Sequence, residues 1–134
     1  MSLAFNINRS ENSNFIINGK VKGMQIEGCK NCAIIVEEVV TAIELLNCEG
    51  VKLQIQKKTN QVIIDKSSKT TIYVSEEGKG IKVLTTNSNT TVLNFPALEE
   101  DDNGNDTRSI PVVETWTTVI KGDKLHFYPF EAIE

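Results

Sequence analysis

Along the first 94 residues, apolar side chains recur at a fixed interval of 19. Steps of 19 from Phe5 reach Met24, Ile43, Val62 and Ile81, and steps from Ile7 reach Ile26, Leu45, Ile64 and Val83. The same step takes Phe15 to Ile34, Leu53, Ile72 and Thr91, and Ile17 to Val36, Ile55, Val74 and Leu93. Four columns thus keep their apolar character without an insertion, Thr91 excepted, and such periodicity marks a repeat architecture. The columns come in pairs two residues apart, as in Met24/Ile26 and Ile34/Val36, which places both members on one face of a strand. Turn-forming residues fall between the pairs, among them Gly19, Gly28, Asn31, Asn47, Gly50, Asn60, Gly78 and Asn87. Stacked units would set like side chains above like, ~4.8 Å apart, and only the stack can bury what one repeat exposes. The pattern predicts an all-β parallel solenoid over residues 1–94. A helix competes only at Ala33–Asn47, where β-branched content and the repeat register favour strand, turn and strand.

The expected repeat ends after Leu93, with Phe95-Pro96 breaking the strand and Glu99–Asp106 forming an acidic loop. Ile110–Ile120 and Lys124–Phe130 are β-rich, and Lys121-Gly122-Asp123 between them reads as a hairpin turn. Residues 95–134 are therefore expected to form a loop and a C-terminal hairpin within the same domain. The last coil of a solenoid leaves an open strand edge. A terminal hairpin can cap that edge, or reach a second copy and close a two-fold dimer.

Charge sharpens this division. Residues 1–94 hold 11 Lys/Arg and 9 Asp/Glu, a balance of +2, whereas residues 95–134 hold 3 and 9, a balance of −6. An acidic C-terminal quarter is the wrong sign for general nucleic-acid binding, which needs a basic face. The sequence has no apolar run of membrane-spanning length and no secretory leader, so no membrane partner is expected. Three cysteines in such a chain do not make a disulfide framework, and the sequons at Asn8, Asn89 and Asn105 carry no weight.

Candidate chemistry is sparse. Cys29-Lys30-Asn31-Cys32 is a lone C-x-x-C, with Cys48 only a third ligand where zinc needs four. Cys29 and Cys48 are 19 apart and are expected to stack with Ser67 and Thr86 at a coil corner. The acidic loop lacks the glycine placement and closing glutamate of an EF-hand. His126, the sole histidine, has no partners for a catalytic triad. The coil carboxylates Glu27, Glu44, Asp65 and Glu76 are scattered among lysines, and no phosphate-binding fingerprint is present. The residues point to a protein that is not an enzyme and carries no cofactor or metal.

The chain resembles the C-terminal domain of the cyclase-associated protein family. The resemblance is carried by Ile17-Asn-Gly-Lys-Val21, Ile26-Glu-Gly-Cys-Lys30, Val39-Val40, Ile43-Glu44, Asn47, Val51-Lys-Leu-Gln54, Ile63-Ile64-Asp65-Lys66-Ser67 and Ile72-Tyr73-Val74-Ser75. Pro111-Val112-Val113-Glu114-Thr115-Trp116 and Gly122-Asp123-Lys124-Leu125 continue it near the end. Val113 and Lys121 depart from the family pattern, as does the tail from Phe127 to Glu134, and the family's helical N-terminal half and proline-rich segment have no counterpart here. The resemblance implies a right-handed parallel β-helix that dimerises through a swapped C-terminal hairpin. It further implies a cytoplasmic protein that binds monomeric actin, prefers the ADP form and speeds exchange of its nucleotide. The outward residues that match the family's motifs are Lys20, Lys30, Glu44, Gln54 and Lys66, the expected actin contacts. The expected dimer contacts are Pro111, Trp116, Val119, Leu125, Phe127 and Tyr128. Two other readings are a pure interaction scaffold and a GTPase activator like tubulin-binding cofactor C. The second needs an arginine finger in a middle coil, and the only arginines are Arg9 and Arg108.

Overall fold

The structure, a computed structural model, describes residues 4–99, 104, 106–112 and 116–129. Every regular element among them is a strand. β1 (Phe5–Asn8) pairs in parallel with β3 (Met24–Glu27), and β3 pairs with the second half of β4 (Ala33–Leu46). The ladder continues through the second half of β5 (Lys52–Asp65) to β7 (Lys82–Thr86), completing one wall. A second wall stacks the starts of β2 (Asn14–Val21), β4 and β5 with β6 (Ser68–Val74) and β8 (Asn89–Pro96). A narrow third wall holds only short pairings, Lys20↔Glu38↔Lys58 and Val21↔Val39↔Thr59, where the register slips by one residue and recovers. The segment Ala33–Leu46 is strand and not helix, as its β-branched content and register favour, but it runs as one continuous strand without the expected turn in its middle.

The aliphatic columns lie inside. Met24, Ile43 and Val62 stack on one wall and Ile34, Leu53 and Ile72 on another, each at most 4% exposed. The corner between these walls is the step that the apolar pattern did not reveal. It contains two columns of left-handed residues: Arg9, Gly28, Asn47, Lys66 and Asn87, then Asn12, Asn31, Gly50, Lys69 and Thr90. Asparagine and glycine adopt this conformation at least cost. A side chain on Gly50 would meet Asn31 Oδ1 at 2.6 Å, so the asparagine of one coil fills the space over the glycine of the next. Between the two columns, Cys29, Cys48, Ser67 and Ser88 turn inward and are buried.

The last coil corrects the uniform 19-residue spacing. Val62 pairs with Val83, Ile64 with Thr85 and Ile72 with Leu93, an offset of 21. Ile81 and Val83 therefore do not continue the columns of Met24 and Ile26 as expected. Thr91 stands beside Thr70 rather than at the end of the Phe15 column, and Ser88 rather than Thr86 follows Ser67. The two added residues belong to the turn at Glu76–Gly80. A side chain on Gly78 would lie 2.7 Å from the carbonyl oxygen of Lys57, so the turn packs closer than any other residue allows. The interior also extends further than expected: β8 runs through Pro96, and Phe95 is buried at 1% exposure.

The C-terminal region divides differently from the expected two-strand hairpin. β9 (Thr107–Val112) is a separate strand, antiparallel to β8, and Pro111 lies in it opposite Val92. The hairpin is β10 (Trp116–Lys121) and β11 (Lys124–Pro129), joined at Gly122-Asp123. β10 pairs antiparallel with β7 through Thr117↔Leu84 and Thr118↔Val83. Both strands of the last coil thus gain an antiparallel neighbour from the same chain, which covers the edge that parallel stacking leaves open.

Alternation along one strand gives a direct test. Leu53→Ala should lower unfolding free energy by about 2–5 kcal/mol, because it opens a cavity in the stack. Gln54→Ala, one residue on and outward, should change it by less than about 0.5 kcal/mol. Chemical denaturation of the two variants measures the difference; equal effects would contradict the assignment of faces.

Candidate docking surface

The inner corner column is chemically quiet. The Cys48 thiol donates to the carbonyls of Ile26 and Leu46, both at 3.4 Å, and the Cys32 thiol to those of Ser10 and Lys30, also at 3.4 Å. Ser67 Oγ accepts from the Cys48 amide at 3.1 Å and donates to the Asp65 carbonyl at 3.0 Å; Ser88 repeats the arrangement one coil on. Burial pushes the Cys29 and Cys48 thiols above their ordinary pKa, which disfavours the reactive thiolate. The three cysteines act as small buried hydrogen-bonding residues, and among the described residues no group of three or more His, Cys, Asp or Glu is placed to hold a metal.

All five residues expected to contact a partner are exposed, but they do not share one face. Lys30 is bridged between Glu11 and Glu49 at the corner, and Lys66 occupies a left-handed position of the same corner two coils further on. Glu44 projects from the first wall between Gln25 and Ile63. Gln54 projects from the second wall between Ile35 and Tyr73. These four flank one corner. Lys20 stands apart at the third wall, 3.7 Å from Glu38. Lys66 also has a structural role, since its positive φ keeps the corner turning.

Two features of this surface were missed in the sequence. The first is the apolar character of the column that holds Gln54. Ile16, Ile35, Gln54 and Tyr73 are neighbours on successive coils, with Ile16 67% and Tyr73 41% exposed. Ala33, Ile35, Lys52, Gln54 and Tyr73 line a shallow depression of about 140 Å³ there. A check of the outward positions in the same register would have found it.

The second is a charge ladder beside the third wall. Lys20 and Lys22, Glu37 and Glu38, Lys57 and Lys58, then Glu76 and Glu77 alternate in sign from coil to coil. Lys57 Nζ lies 3.0 Å from Glu37, and Glu37 also accepts the Gly19 amide at 2.8 Å. The Gly19 amide first, and Lys57 second, hold the Glu37 carboxyl below its ordinary pKa; Glu37 in turn raises that of Lys57. The signal was available as paired like charges recurring at nearly the repeat length with alternating sign.

The expected dimer contacts cluster near the last coil. Leu125 is partly buried against the core, Val119 and Phe127 are half-buried, and Pro111 is exposed. The side chains of Trp116 and Tyr128 lie outside the described residues. His126 is exposed on β11 opposite Val119. Arg9 forms the first corner, and Arg108 is paired with Asp123, so neither stands in a middle coil as an arginine finger would.

A parallel β-solenoid with a packed aliphatic interior belongs to the repeat-protein class, whose stacked coils present extended surfaces. Residues 1–132 match the family model described as adenylate cyclase associated (CAP) C terminal, and the chain belongs to that family. It is 31% identical over 115 residues to the adenylyl cyclase-associated protein of Dictyostelium discoideum, covering 86% of this chain and 24% of that protein. Against human adenylyl cyclase-associated protein 2 it is 26% identical over 123 residues, covering 92% and 24%. The chain thus spans about a quarter of the length of these curated relatives. The crystal structure of cyclase-associated protein from Cryptosporidium parvum superimposes with a TM-score of 0.71 at 28% identity, covering 96% of this chain and 87% of that one. Among the described residues, no helix is long and apolar enough to cross a membrane.

The Glu37 carboxylate predicts an acid response. Its folded pKa is depressed, so its contribution to stability is present above the unfolded value of ~4.3 and is lost as pH falls through the folded value. Glu37→Gln should flatten the fall in stability between about pH 5 and pH 3 relative to the parent protein. Denaturation curves across that range measure this, and an unchanged slope would contradict it.

Proposed function

We propose that this chain binds monomeric actin, favours the ADP form and speeds exchange of actin-bound nucleotide, returning monomers to filament turnover in the cytoplasm. The observation that carries the reading is the match of almost the whole chain to the cyclase-associated C-terminal family, on a fold whose outer wall is the part free to interact. Binding accelerates nucleotide release only through differential affinity for the actin conformation with an open nucleotide cleft. A rigid surface supplies this with no catalytic side chain and no cofactor, so the chain acts as a binding protein and not as an enzyme. The contact surface in this reading is the corner flanked by Lys30, Glu44, Gln54 and Lys66, with the Ile16–Ile35–Tyr73 column as its apolar part; Lys20, on the third wall, lies outside it. The C-terminal hairpin serves a homodimer: the antiparallel pairing of β10 on β7 is one that a second copy can make equally well.

Release of a fluorescent nucleotide from ADP-actin monomers tests this proposal. The chain should raise the release rate saturably, and combined Lys30→Gln and Glu44→Gln replacement should raise the half-saturating concentration about three- to tenfold. No acceleration by the intact, folded chain would overturn the exchange reading. Light scattering on the same sample should give twice the chain mass.

A further inference from the structure

The base of the acidic segment and the turn of the hairpin are joined by a compact group of contacts. Asp123 uses both carboxylate oxygens: Oδ1 accepts the Leu98 amide at 2.7 Å, and Oδ2 accepts Arg108 Nη2 at 3.3 Å. The same Arg108 Nη2 donates to the Glu99 carbonyl at 3.2 Å. The Ala97 amide donates to the Asp106 carbonyl at 2.7 Å, closing the base of the segment between β8 and β9. Leu98 Cδ1 lies over the hairpin turn, 3.7 Å from where a side chain on Gly122 would begin. The Arg108 and Asp123 side chains are only 25% and 30% exposed. The exit of β8, the entry of β9 and the β10–β11 turn therefore meet at one carboxylate.

We propose that Asp123 is a latch that holds the hairpin on the end of the solenoid and sets how fast the hairpin leaves. The hairpin's ladder to the coils rests on Thr117, Thr118 and Val119 opposite Leu84, Val83 and Lys82, a short stretch for a whole two-stranded arm. Asp123 lies at the other end of β10 from Thr117 and fastens the turn to a different wall. Opening must break the Arg108 and Leu98 contacts whether the hairpin returns to its own chain or docks on a second copy. Closed and exchanged forms remake the same contacts, so the latch governs the rate of exchange and not the final ratio of forms. This deepens the homodimer reading and rests on it for the exchange step alone.

Two measurements on the full chain separate the latch from the dimer. Hydrogen exchange read by mass spectrometry reports hairpin opening whatever the oligomeric state. Asp123→Ala should speed exchange of the β10 and β11 amides about three- to tenfold, the size expected for losing one partly exposed ion pair and one hydrogen bond, and leave the coil amides of β4 and β5 unchanged. Asp123→Asn, which keeps an acceptor for Leu98 but loses the charge, should fall between Asp123→Ala and the parent. Unaltered hairpin amides in Asp123→Ala would overturn the latch. Mixing isotopically light and heavy copies under native mass spectrometry then reads hairpin transfer, and mixed dimers should form faster by the same factor. Faster amide exchange with no mixed dimers in any variant would overturn the swapped dimer and leave the latch standing.

Discussion

Every coil is tied to the next by main-chain hydrogen bonds made in register, and two left-handed residues at one corner of each coil make that register possible. Without them, the strands of the first two walls would run on as one ribbon instead of folding back above themselves. The corner columns are filled mainly by asparagine and glycine, which reach positive φ at low cost, but Arg9, Lys66, Lys69 and Thr90 adopt it too. For such residues the conformation costs about 1–2 kcal/mol each. The ladders on both sides and the hydrogen-bonded column of Cys29, Cys48, Ser67 and Ser88 offset that cost.

Two properties of the molecule follow from this stacking. Residues that look chemically interesting in one dimension become ordinary in three, since the C-x-x-C lies within a corner and its thiols turn to carbonyls of neighbouring coils. Side chains on the outside are also ordered by coil, which produces both the Ile16–Ile35–Gln54–Tyr73 column and the alternating lysine and glutamate pairs at the third wall. Surface ion pairs of this kind add little stability singly. Their alternation does oppose a slip by one coil, because a slip would set like charges side by side. A partner of this protein meets a surface whose shape is fixed by the backbone and whose pattern is fixed by the repeat.

Much of this was legible in the sequence. The paired inward positions, such as Met24 with Ile26 and Ile34 with Val36, carried the fold because large aliphatic residues recur there without interruption. One inward corner column was legible at Cys29, Cys48 and Ser67, but the second was obscure because its small space accepts cysteine, valine or threonine alike: Cys32, Val51, Thr70 and Thr91 all lie in it. The offset of 21 in the last coil stayed hidden because Ile81 and Val83 happen to satisfy a spacing of 19 as well. The division between β9 and the hairpin was illegible because both are β-rich and differ only in what they pair with. Alternation placed Glu44 and Gln54 outward correctly. It does not say which walls adjoin, and so left Lys20 grouped with residues on the far side of the molecule.

The link from solenoid to actin comes from family membership, and thermodynamic linkage exposes it to a single measurement. If the chain speeds nucleotide release by favouring an open cleft, each nucleotide must weaken its binding to actin by the same factor as the chain weakens the binding of that nucleotide. Affinity of the chain for actin monomers carrying ADP, ATP or no nucleotide should be tightest without nucleotide, intermediate with ADP and weakest with ATP. Equal affinity for all three states, or no binding to any, would contradict the account.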